Sequence, residues 1–300
     1  MKNPLIVILG PTATGKTALS IDLAKKYNGE IVNADSQTIY REMDIGTAKP
    51  GLGEQQEIPH HLIDIIEPDQ EFNVAQYKEL ADKTIKEIWN KDKAPFLVGG
   101  TGLYIDAVVY NYKIPKIKPD FKFRLEIASK TAEELLGRLE ELDPEAASTI
   151  DPNNKRRLIR AIEIVQKSGE PLSTMKSKDK KPDNVLIIGL DFYSREDLYK
   201  RIDKRVNKMM NEGFLEEMKE LADNYPWEIP GFNALGYRQL GFYLKGEIDL
   251  NTAIEAIKQE TRKFAKRQMT WFKRNKDIKW VKNKEEAEKI VKEFLEISNS

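Results

Sequence analysis

Residues 10–17 are the stretch whose residue types point most directly to chemistry. They read Gly-Pro-Thr-Ala-Thr-Gly-Lys-Thr, the P-loop spacing, between an apolar run at Pro4–Leu9 and a helix-forming segment at Ala18–Lys26. Glycine lets backbone N–H groups turn toward an anion, and the following helix adds partial positive charge at its N-terminus. Lys16 supplies a full charge, the Thr17 hydroxyl can hold Mg²⁺, and together they predict a phosphate site without saying which phosphate it holds. The residues of this candidate site are Gly10, Pro11, Thr12, Ala13, Thr14, Gly15, Lys16 and Thr17.

Two further polar segments follow short apolar runs that read as strands. Residues 35–38 follow Glu30–Asn33, and Gly99–Thr101 follows Pro95–Val98. Ligands of parallel α/β sheets bind beyond the carboxyl ends of the strands, so we expect these segments and the P-loop to share one active site. Asp35 there can coordinate Mg²⁺ or take a proton from a nucleophile, and a turn or helix cap is its ordinary alternative. The sequence does not separate a base from a metal ligand.

Three other side chains invite a functional interpretation. Arg238 stands between Gly236 and Gly241, and it can clamp a phosphate or form a structural salt bridge. His60 and His61 are adjacent on a predicted strand and point to opposite faces, so they cannot both serve one site. We expect ordinary packing or hydrogen bonding for at least one of them.

The charge pattern suggests an extended anionic partner. The chain carries 49 basic and 49 acidic side chains, yet basic residues recur on one face of three predicted helices. A solvated surface is the alternative. These faces comprise Arg156, Arg157 and Arg160, then Lys200, Arg201, Lys204, Arg205 and Lys208, and finally Arg262, Lys263, Lys266, Arg267, Lys273 and Arg274.

The order of predicted elements gives the fold class. Strands alternate with helices in the first hundred residues, which predicts an α/β fold with a P-loop NTPase-like parallel sheet flanked by helices. The chain then reads as helical, and strand character returns at Val185–Leu190. We therefore expect a core formed by residues 1–115 and 183–300, with a helical insertion domain at 116–182. Other expected elements are strands at Ile58–Asp64 and Ile278–Val281, a loop from Gly46 through Pro50 onward, a helix at Asn73–Asn90 and a helix N-cap at Asn251.

Composition excludes several classes of protein. The chain has no Cys and two His, which leaves out disulfides and Cys-based metal sites and disfavours a His-rich cluster. No signal-like N-terminus is evident, and no apolar run approaches the roughly 20 residues of a membrane span. We expect a cytoplasmic, monomeric protein with no membrane partner.

Several motifs in a fixed order resemble those of the tRNA dimethylallyltransferases. Besides residues 10–17 they are Asp-Ser-Gln-Thr-Ile-Tyr (35–40), Met-Asp-Ile-Gly-Thr-Ala-Lys-Pro (43–50), Pro-His-His-Leu-Ile-Asp (59–64), Val-Gly-Gly-Thr-Gly-Leu-Tyr (98–104), Asp-Pro-Asn-Asn-Lys-Arg-Arg-Leu-Ile-Arg-Ala-Ile-Glu (151–163), Gly-Tyr-Arg-Gln (236–239) and Lys-Arg-Gln-Met-Thr-Trp-Phe (266–272). The resemblance implies transfer of a dimethylallyl group from dimethylallyl diphosphate to N6 of the adenosine 3′-adjacent to the anticodon of tRNA. The P-loop would then hold the isoprenoid diphosphate, and Mg²⁺ on Thr17 would help to neutralise it.

The same resemblance implies roles for individual residues. Asp35 matches the family's catalytic base, Lys16 and Arg238 would stabilise the leaving diphosphate, and Thr101 matches a contact to the target nucleotide. The insertion domain at 116–182 would contact tRNA. Further positions resemble tRNA contacts: Ser36, Gln37, Thr38, Phe123, Arg156, Arg157, Leu158, Ile159 and Arg160. The alternatives are an adenylate isopentenyltransferase acting on free nucleotides, a P-loop small-molecule kinase, and an RNA-binding module without catalysis.

Overall fold

Six parallel strands form the central sheet of the computed structural model, which describes residues 3–115, 117–175 and 179–299. The strands are β1 (Leu5–Leu9), β2 (Gly29–Asn33), β3 (His60–His61), β4 (Ala94–Gly99), β5 (Val185–Leu190) and β6 (Lys279–Val281). They lie in the order β3-β2-β4-β1-β5-β6, and every pairing is parallel. This confirms the predicted parallel α/β sheet.

The helices follow the strands as the alternating pattern predicts. The first four are α1 (Lys16–Lys26), α2 (Leu52–Gln55), α3 (Val74–Trp89) and α4 (Gly102–Val109). The next five are α5 (Phe121–Ala128), α6 (Ala132–Leu142), α7 (Pro144–Thr149), α8 (Lys155–Ser168) and α9 (Leu172–Met175). The last five are α10 (Arg195–Asn211), α11 (Phe214–Asn224), α12 (Tyr237–Leu244), α13 (Leu250–Phe272) and α14 (Lys284–Asn299), with a 3₁₀ turn at Pro230–Asn233 before α12.

The four longest strands are buried because helices cover both faces of the sheet. Every residue of β1, β2, β4 and β5 is buried, which agrees with the mostly apolar sequence of these segments. β2, β4 and β1 are neighbours, so the polar segments that follow them leave the same edge of the sheet. The sheet thus brings together the three strand ends that the sequence singled out.

The chain divides into two compact units. The first comprises Met1–Val109 and Lys181–Ser300, and the second comprises Tyr110–Lys180. The second unit contains α5–α9 around its own apolar core, in which Leu135, Leu139, Leu158 and Ile162 are fully buried. This unit contains the helices expected for the insertion at 116–182, and the domain boundaries and the contact with tRNA stay predictions. Lys116 and Lys176–Lys178, which the sequence placed in the connectors, lie outside the described residues.

Local structure differs from the predictions at three places. Asp249, and not Asn251, caps α13, because its carboxylate accepts the backbone N–H of Thr252 at 2.9 Å. The strand predicted at Ile58–Asp64 is only His60–His61, since Leu62 and Asp64 adopt left-handed backbone angles (φ 61° and 55°) that end it. The segment predicted as loop after Pro50 contains the short helix α2. In the described part of the chain, no helix has the length and apolarity to cross a membrane.

Candidate active site

The P-loop joins the carboxyl end of β1 to the N-terminus of α1. Gly15 caps α1 in the left-handed region at φ 92°, where residues with a β-carbon are strained. Gly10 has no room for a side chain, since a β-carbon there would lie 2.9 Å from the carbonyl oxygen of Leu190. The Thr14 hydroxyl donates to the carbonyl of Pro11 at 2.9 Å and holds the turn closed. The loop therefore has the strand–loop–helix geometry that anion binding requires.

Lys16 lies within this turn and is half-buried. Its Nζ donates to the carbonyl oxygen of Pro11 at 2.7 Å. Burial lowers the pKa of Lys16, Asp35 opposes the change and Arg205 adds to it, which leaves the pKa at about 8. A partly buried cation with a lowered pKa indicates a site arranged to receive negative charge.

Arg205 supplies a second half-buried cation. It lies on α10, and its Nη1 donates to the Thr12 hydroxyl at 3.1 Å. Burial lowers the pKa of its guanidinium, and Asp35 opposes that shift. From the sequence we assigned Arg205 to a basic surface. Its spacing on the helix indicates an inward-facing position instead, because Arg205 is three residues after the buried Ile202 and directly before the buried Val206.

Asp35 lies in a short turn at the end of β2 that Asn33 organises. The Asn33 amide donates to the carbonyls of Asp35 and Leu62 at 3.2 and 3.0 Å, and its oxygen accepts the Asp35 N–H at 3.2 Å. Oδ1 of Asp35 accepts the N–H of Gln37 at 2.9 Å. The segment is tied to the end of β4 as well, because the Ser36 N–H donates to the Thr101 hydroxyl at 3.0 Å. Two neighbouring strand ends thus hold Asp35 in place.

One cavity in the first unit contains these groups. Its polar wall includes Thr12, Lys16, Thr17, Asn33, Asp35, Gln37, Thr38, His60, Arg205 and Gln268. Its apolar wall includes Ile202, Val206, Met209, Phe214, Leu235, Ile257 and Phe264. The cavity can therefore hold a ligand that has both an anionic group and an apolar group.

Three polar atoms at this cavity lack a hydrogen-bond partner within the described residues. They are Gln37 Oε1, Thr38 Oγ1 and His60 Nε2, and each is buried. His60 Nδ1 must donate to the carbonyl of Ile58, which lies at 2.7 Å, so the neutral ring presents Nε2 as an acceptor. His61 instead contacts Glu30 at 2.7 Å. Buried polar atoms without partners are rare, which makes this corner a candidate contact for a polar ligand.

Many known proteins are similar to this chain in sequence. A family model described as IPP transferase matches residues 38–275, and another described as Isopentenyl transferase matches residues 3–67. The chain belongs to the IPP transferase family. The tRNA dimethylallyltransferase of Pelotomaculum thermopropionicum is 45% identical over 98% of this chain and 96% of its own length.

Solved structures of related proteins share the fold. The full-length tRNA isopentenylpyrophosphate transferase from Bacillus halodurans aligns with a TM-score of 0.76 at 39% identity, covering 99% of this chain and 98% of that one. A eukaryotic dimethylallyltransferase acting on tRNA aligns with a TM-score of 0.79 at 29% identity, covering 93% of this chain and 73% of that one. Membership of the IPP transferase family therefore extends over both units of the chain.

Gln268 connects two loops of this IPP transferase cavity. Its Oε1 accepts the N–H of Thr12 at 2.9 Å, and its Nε2 donates to the carbonyl of Gly100 at 2.9 Å. The sequence placed Gln268 in a motif, residues 266–272, but gave it no role. Nothing in the local pattern distinguishes it, because both of its partners lie far away in the chain.

Other predicted site residues lie outside the cavity lining. Arg238 is exposed on α12, beside Gly236, which does line the cavity. Thr101 reaches the site through its hydrogen bond with Ser36. The roles assigned to Arg238 and Thr101 stay predictions.

The predicted tRNA contacts of the second unit differ in solvent exposure and in whether they already have a partner within the unit. Arg156 and Arg157 are exposed, and Phe123 is half-buried with the Arg138 guanidinium 5.8 Å from its ring centre. The Leu158 side chain is fully buried in the core of this unit, so it packs there and does not present a surface. Arg160 pairs with Glu163 and donates to the carbonyl of Ile117 at 2.7 Å, which gives it a structural partner that the charge pattern did not reveal.

The other basic faces are partly neutralised. Lys200 pairs with Glu196 at 2.7 Å, Arg262 with Asp203, and Lys263 with Glu260 at 2.8 Å. Exposed pairs of this kind contribute little to stability, but they reduce the net positive field of α10 and α13. The sequence pattern alone therefore overstated the basic character of these faces.

Proposed function

We propose that this chain transfers a dimethylallyl group from dimethylallyl diphosphate to N6 of adenosine 37 in tRNA, acting as a monomer and releasing diphosphate. The observation that carries the proposal is the presence of Lys16 and Asp35 in one cavity that also has an apolar wall. An anion site, a carboxylate and apolar surface are the three environments that an isoprenoid diphosphate and an amine nucleophile need. The names of the related proteins support the same activity.

The P-loop would hold the diphosphate. When the allylic C1–O bond breaks, positive charge grows on carbon and negative charge grows on the leaving oxygen. Lys16, Arg205 and the N-terminus of α1 would lie where that negative charge develops, and such preorganised charges stabilise a transition state without reorganisation. Arg238 is proposed to add to this stabilisation once substrate is bound.

Asp35 would act as the base. The exocyclic amine of adenine is a weak nucleophile, because its lone pair is delocalised into the ring. As N6 forms its bond to C1 and diphosphate leaves with the C1–O electrons, the N6 proton passes to the Asp35 carboxylate. A positioned base typically accelerates such a step by roughly 10²–10⁴. Asp35 donates its backbone N–H to Asn33 Oδ1 and accepts the Gln37 N–H through its carboxylate, and these bonds hold it in position.

The adenosine must leave its stack to reach the cavity. Thr101 and the unpartnered atoms of Gln37, Thr38 and His60 would contact the extruded nucleotide. In the second unit, we propose that the exposed Arg156 and Arg157 contact the phosphate backbone of tRNA, with Phe123 nearby. Because such contacts displace counterions, tRNA affinity should fall as salt concentration rises.

A divalent metal fits the donor set of the site. Thr17 lines the cavity, and the described residues contain no group of three or more His, Cys, Asp or Glu side chains that would form a protein-only metal site. Mg²⁺ suits such a position, since it is commonly held by few protein oxygens together with water and substrate phosphates. We propose that Thr17 holds Mg²⁺, which supplies further charge neutralisation for the diphosphate.

Mass spectrometry of tRNA nucleosides after incubation with dimethylallyl diphosphate tests this function. We expect N6-dimethylallyladenosine in tRNA with the wild-type protein, and roughly 10²–10⁴-fold slower formation with Asp35→Asn. Asp223→Asn, which alters an exposed carboxylate, is the matched control and should keep the wild-type rate. In a parallel incubation with free AMP, a dimethylallyl group found on AMP and not on tRNA would instead favour the adenylate isopentenyltransferase.

A further inference from the structure

The loop at residues 43–50 forms part of the cavity but has no role in the proposed chemistry. Gly46, Thr47, Ala48 and Pro50 all line the cavity. The loop contains no strand, and its only regular feature is a turn. Something other than secondary structure must therefore hold this wall in its shape.

The carboxylate of Glu217, on α11, accepts three hydrogen bonds from the loop and a fourth from Tyr237 on α12. Its Oε2 accepts the backbone N–H groups of Asp44 and Ile45 at 2.9 and 2.7 Å. Its Oε1 accepts the N–H of Gly46 at 3.0 Å and the hydroxyl of Tyr237 at 2.6 Å. All four partners are donors, so only an ionised carboxylate satisfies them. Burial, reinforced by Glu217, raises the pKa of Tyr237 far above its usual value, which keeps this hydroxyl protonated.

Close packing reinforces the same contact. A β-carbon at Gly46 would lie 2.1 Å from the Phe214 ring and 2.6 Å from the Tyr237 ring, so the loop backbone rests directly on two aromatic rings. The far end of the loop is fixed separately, because the Lys49 ammonium donates to the Tyr40 carbonyl at 2.7 Å and pairs with Asp44 and Asp64.

We propose that Glu217 is a positioning residue that sets the shape of the cavity wall through residues 44–46 and thereby limits the length of the prenyl chain the enzyme accepts. The inference rests on the proposed function, since it assumes an isoprenoid diphosphate in the cavity. Phe214 connects the two parts of the wall, because it supports Gly46 and also lines the cavity beside Met209 and Leu235. A loosened loop would enlarge the apolar wall and leave the P-loop unchanged.

Substitutions at Glu217 separate positioning from simple stability. In Glu217→Gln, the side-chain amide turns an N–H toward a backbone N–H and loses the charge, so at least one loop contact fails. Glu217→Asp keeps the carboxylate but is one methylene shorter. Tyr237→Phe removes a single donor and preserves the packing, which makes it the variant least affected in folding. Glu220→Gln, an exposed glutamate of the same helix, is the matched control.

Calorimetric binding of dimethylallyl and geranyl diphosphate to each variant measures the discrimination between five-carbon and ten-carbon chains. The discrimination is the dissociation constant for geranyl diphosphate divided by that for dimethylallyl diphosphate. We expect Glu217→Gln to reduce this ratio about tenfold, which is the size of effect that one added group in an apolar pocket produces. Tyr237→Phe and Glu217→Asp should reduce it less, and Glu220→Gln should leave it unchanged.

A ratio that stays at the wild-type value in Glu217→Gln and Tyr237→Phe would overturn the inference, even if both variants are less stable. This result is distinguishable from failure of the proposed function. A wild-type protein that binds prenyl diphosphates with chain-length preference but modifies no tRNA would refute the tRNA reaction and still test the role of Glu217.

Discussion

The side chain of Gln268 accepts a hydrogen bond from the backbone N–H of Thr12 at 2.9 Å, across 256 residues of sequence. The same side chain donates to the carbonyl of Gly100 at 2.9 Å. Gln268 is 6% exposed, so water does not compete for these bonds. A single amide on α13 therefore fixes the P-loop relative to the loop that follows β4, and both loops belong to the proposed active site.

Replacing Gln268 should weaken diphosphate binding. Gln268→Leu leaves the Thr12 N–H and the Gly100 carbonyl buried without partners, which costs about 1–3 kcal/mol for each unsatisfied group. We expect lower stability and a roughly tenfold rise in the dissociation constant for dimethylallyl diphosphate, because the P-loop loses its anchor. Titration calorimetry and urea unfolding measure both effects. Gln259→Leu, at an exposed position of the same helix, should change neither, and a normal affinity in Gln268→Leu would contradict the anchoring role.

Arg205 should matter far more than its neighbours on α10. Its guanidinium contacts Thr12 inside the cavity, whereas Arg201 is exposed on the same helix. We expect Arg205→Ala to slow dimethylallyl transfer roughly 10²-fold or more, as loss of a preorganised charge usually does. Arg205→Lys should recover part of the rate, since it restores charge but not the planar fork. Steady-state rates with tRNA measure the effect, and equal losses in Arg201→Ala and Arg205→Ala would exclude a specific role.

Lys16 should make diphosphate binding pH-dependent. Its pKa in the ligand-free protein is about 8, so above that pH the amine is largely neutral. A bound anion favours the charged form, so binding above pH 8 must take up a proton, and affinity should fall by up to about tenfold per pH unit. Calorimetry in buffers of different ionisation enthalpy counts the proton. Lys16→Ala should bind weakly and lose this uptake, and an unchanged uptake would assign it to another group.

The same shift affects the stability of the ligand-free protein with a definite sign. The unfolded chain holds the Lys16 proton up to its usual pKa of 10.5, whereas the folded protein releases it near 8. The unfolded state therefore binds more protons between these values, and stability rises with pH across that window. Comparing the wild type with Lys16→Met in denaturant unfolding at pH 7.5 and 9.5 isolates this contribution. The free energy of unfolding of the wild type, relative to that of Lys16→Met, should be higher at pH 9.5 than at pH 7.5.

Glu163 should stabilise the second unit above pH 4.5. Burial alone would raise its pKa, but hydrogen bonds from Arg124, the Asp120 N–H and Arg160 outweigh burial and lower the pKa below its usual 4.5. The stabilisation is present above 4.5 and disappears as pH falls through the lowered value. Glu163→Gln should destabilise α8 by roughly 3 kcal/mol at pH 7, near the low end for buried pairs, because both arginines are about one-third exposed.

Hydrogen exchange of the backbone amides at Lys155–Ser168 measures the stability of α8 within the second unit. The difference in amide protection between wild type and Glu163→Gln should become smaller as pH falls below 4.5. Glu170→Gln, at an exposed position after α8, is the control and should retain wild-type protection. Equal protection of α8 in wild type and Glu163→Gln at pH 7 would show that the carboxylate does not hold this helix.

Much of the site was predictable because its determinants are local. The P-loop needs a strand, two glycines and a helix within a short stretch, and residues 5–26 supply all three. Asp35 and Gly99–Thr101 follow strands, so a parallel sheet places them at one edge whatever the details of packing. Helical periodicity likewise predicted a helix at Asn73–Asn90, and α3 occupies Val74–Trp89, where Tyr77, Ala81, Ile85 and Ile88 are buried.

The predictions were wrong where local alternatives have similar free energies. Asp249 and Asn251 can each cap a helix, and the carboxylate of Asp249 is the one that accepts the Thr252 N–H. His60–His61 extends no further as a strand, because the backbone turns left-handed at Leu62. Such choices depend on differences of about 1 kcal/mol that sequence patterns do not resolve.

By itself, the sequence predicted the strand–loop–helix segment around residues 10–17, the parallel sheet behind it and a helical insertion, because each prediction follows from periodicity and short-range spacing. The tertiary structure alone decided that Arg205 enters the cavity, that Gln268 anchors Thr12 and that Glu217 holds residues 44–46. These contacts join residues that are far apart in the chain. Which of many similar Arg, Gln and Glu side chains reaches a partner depends on how helices pack on the sheet, and a local pattern contains no record of that packing.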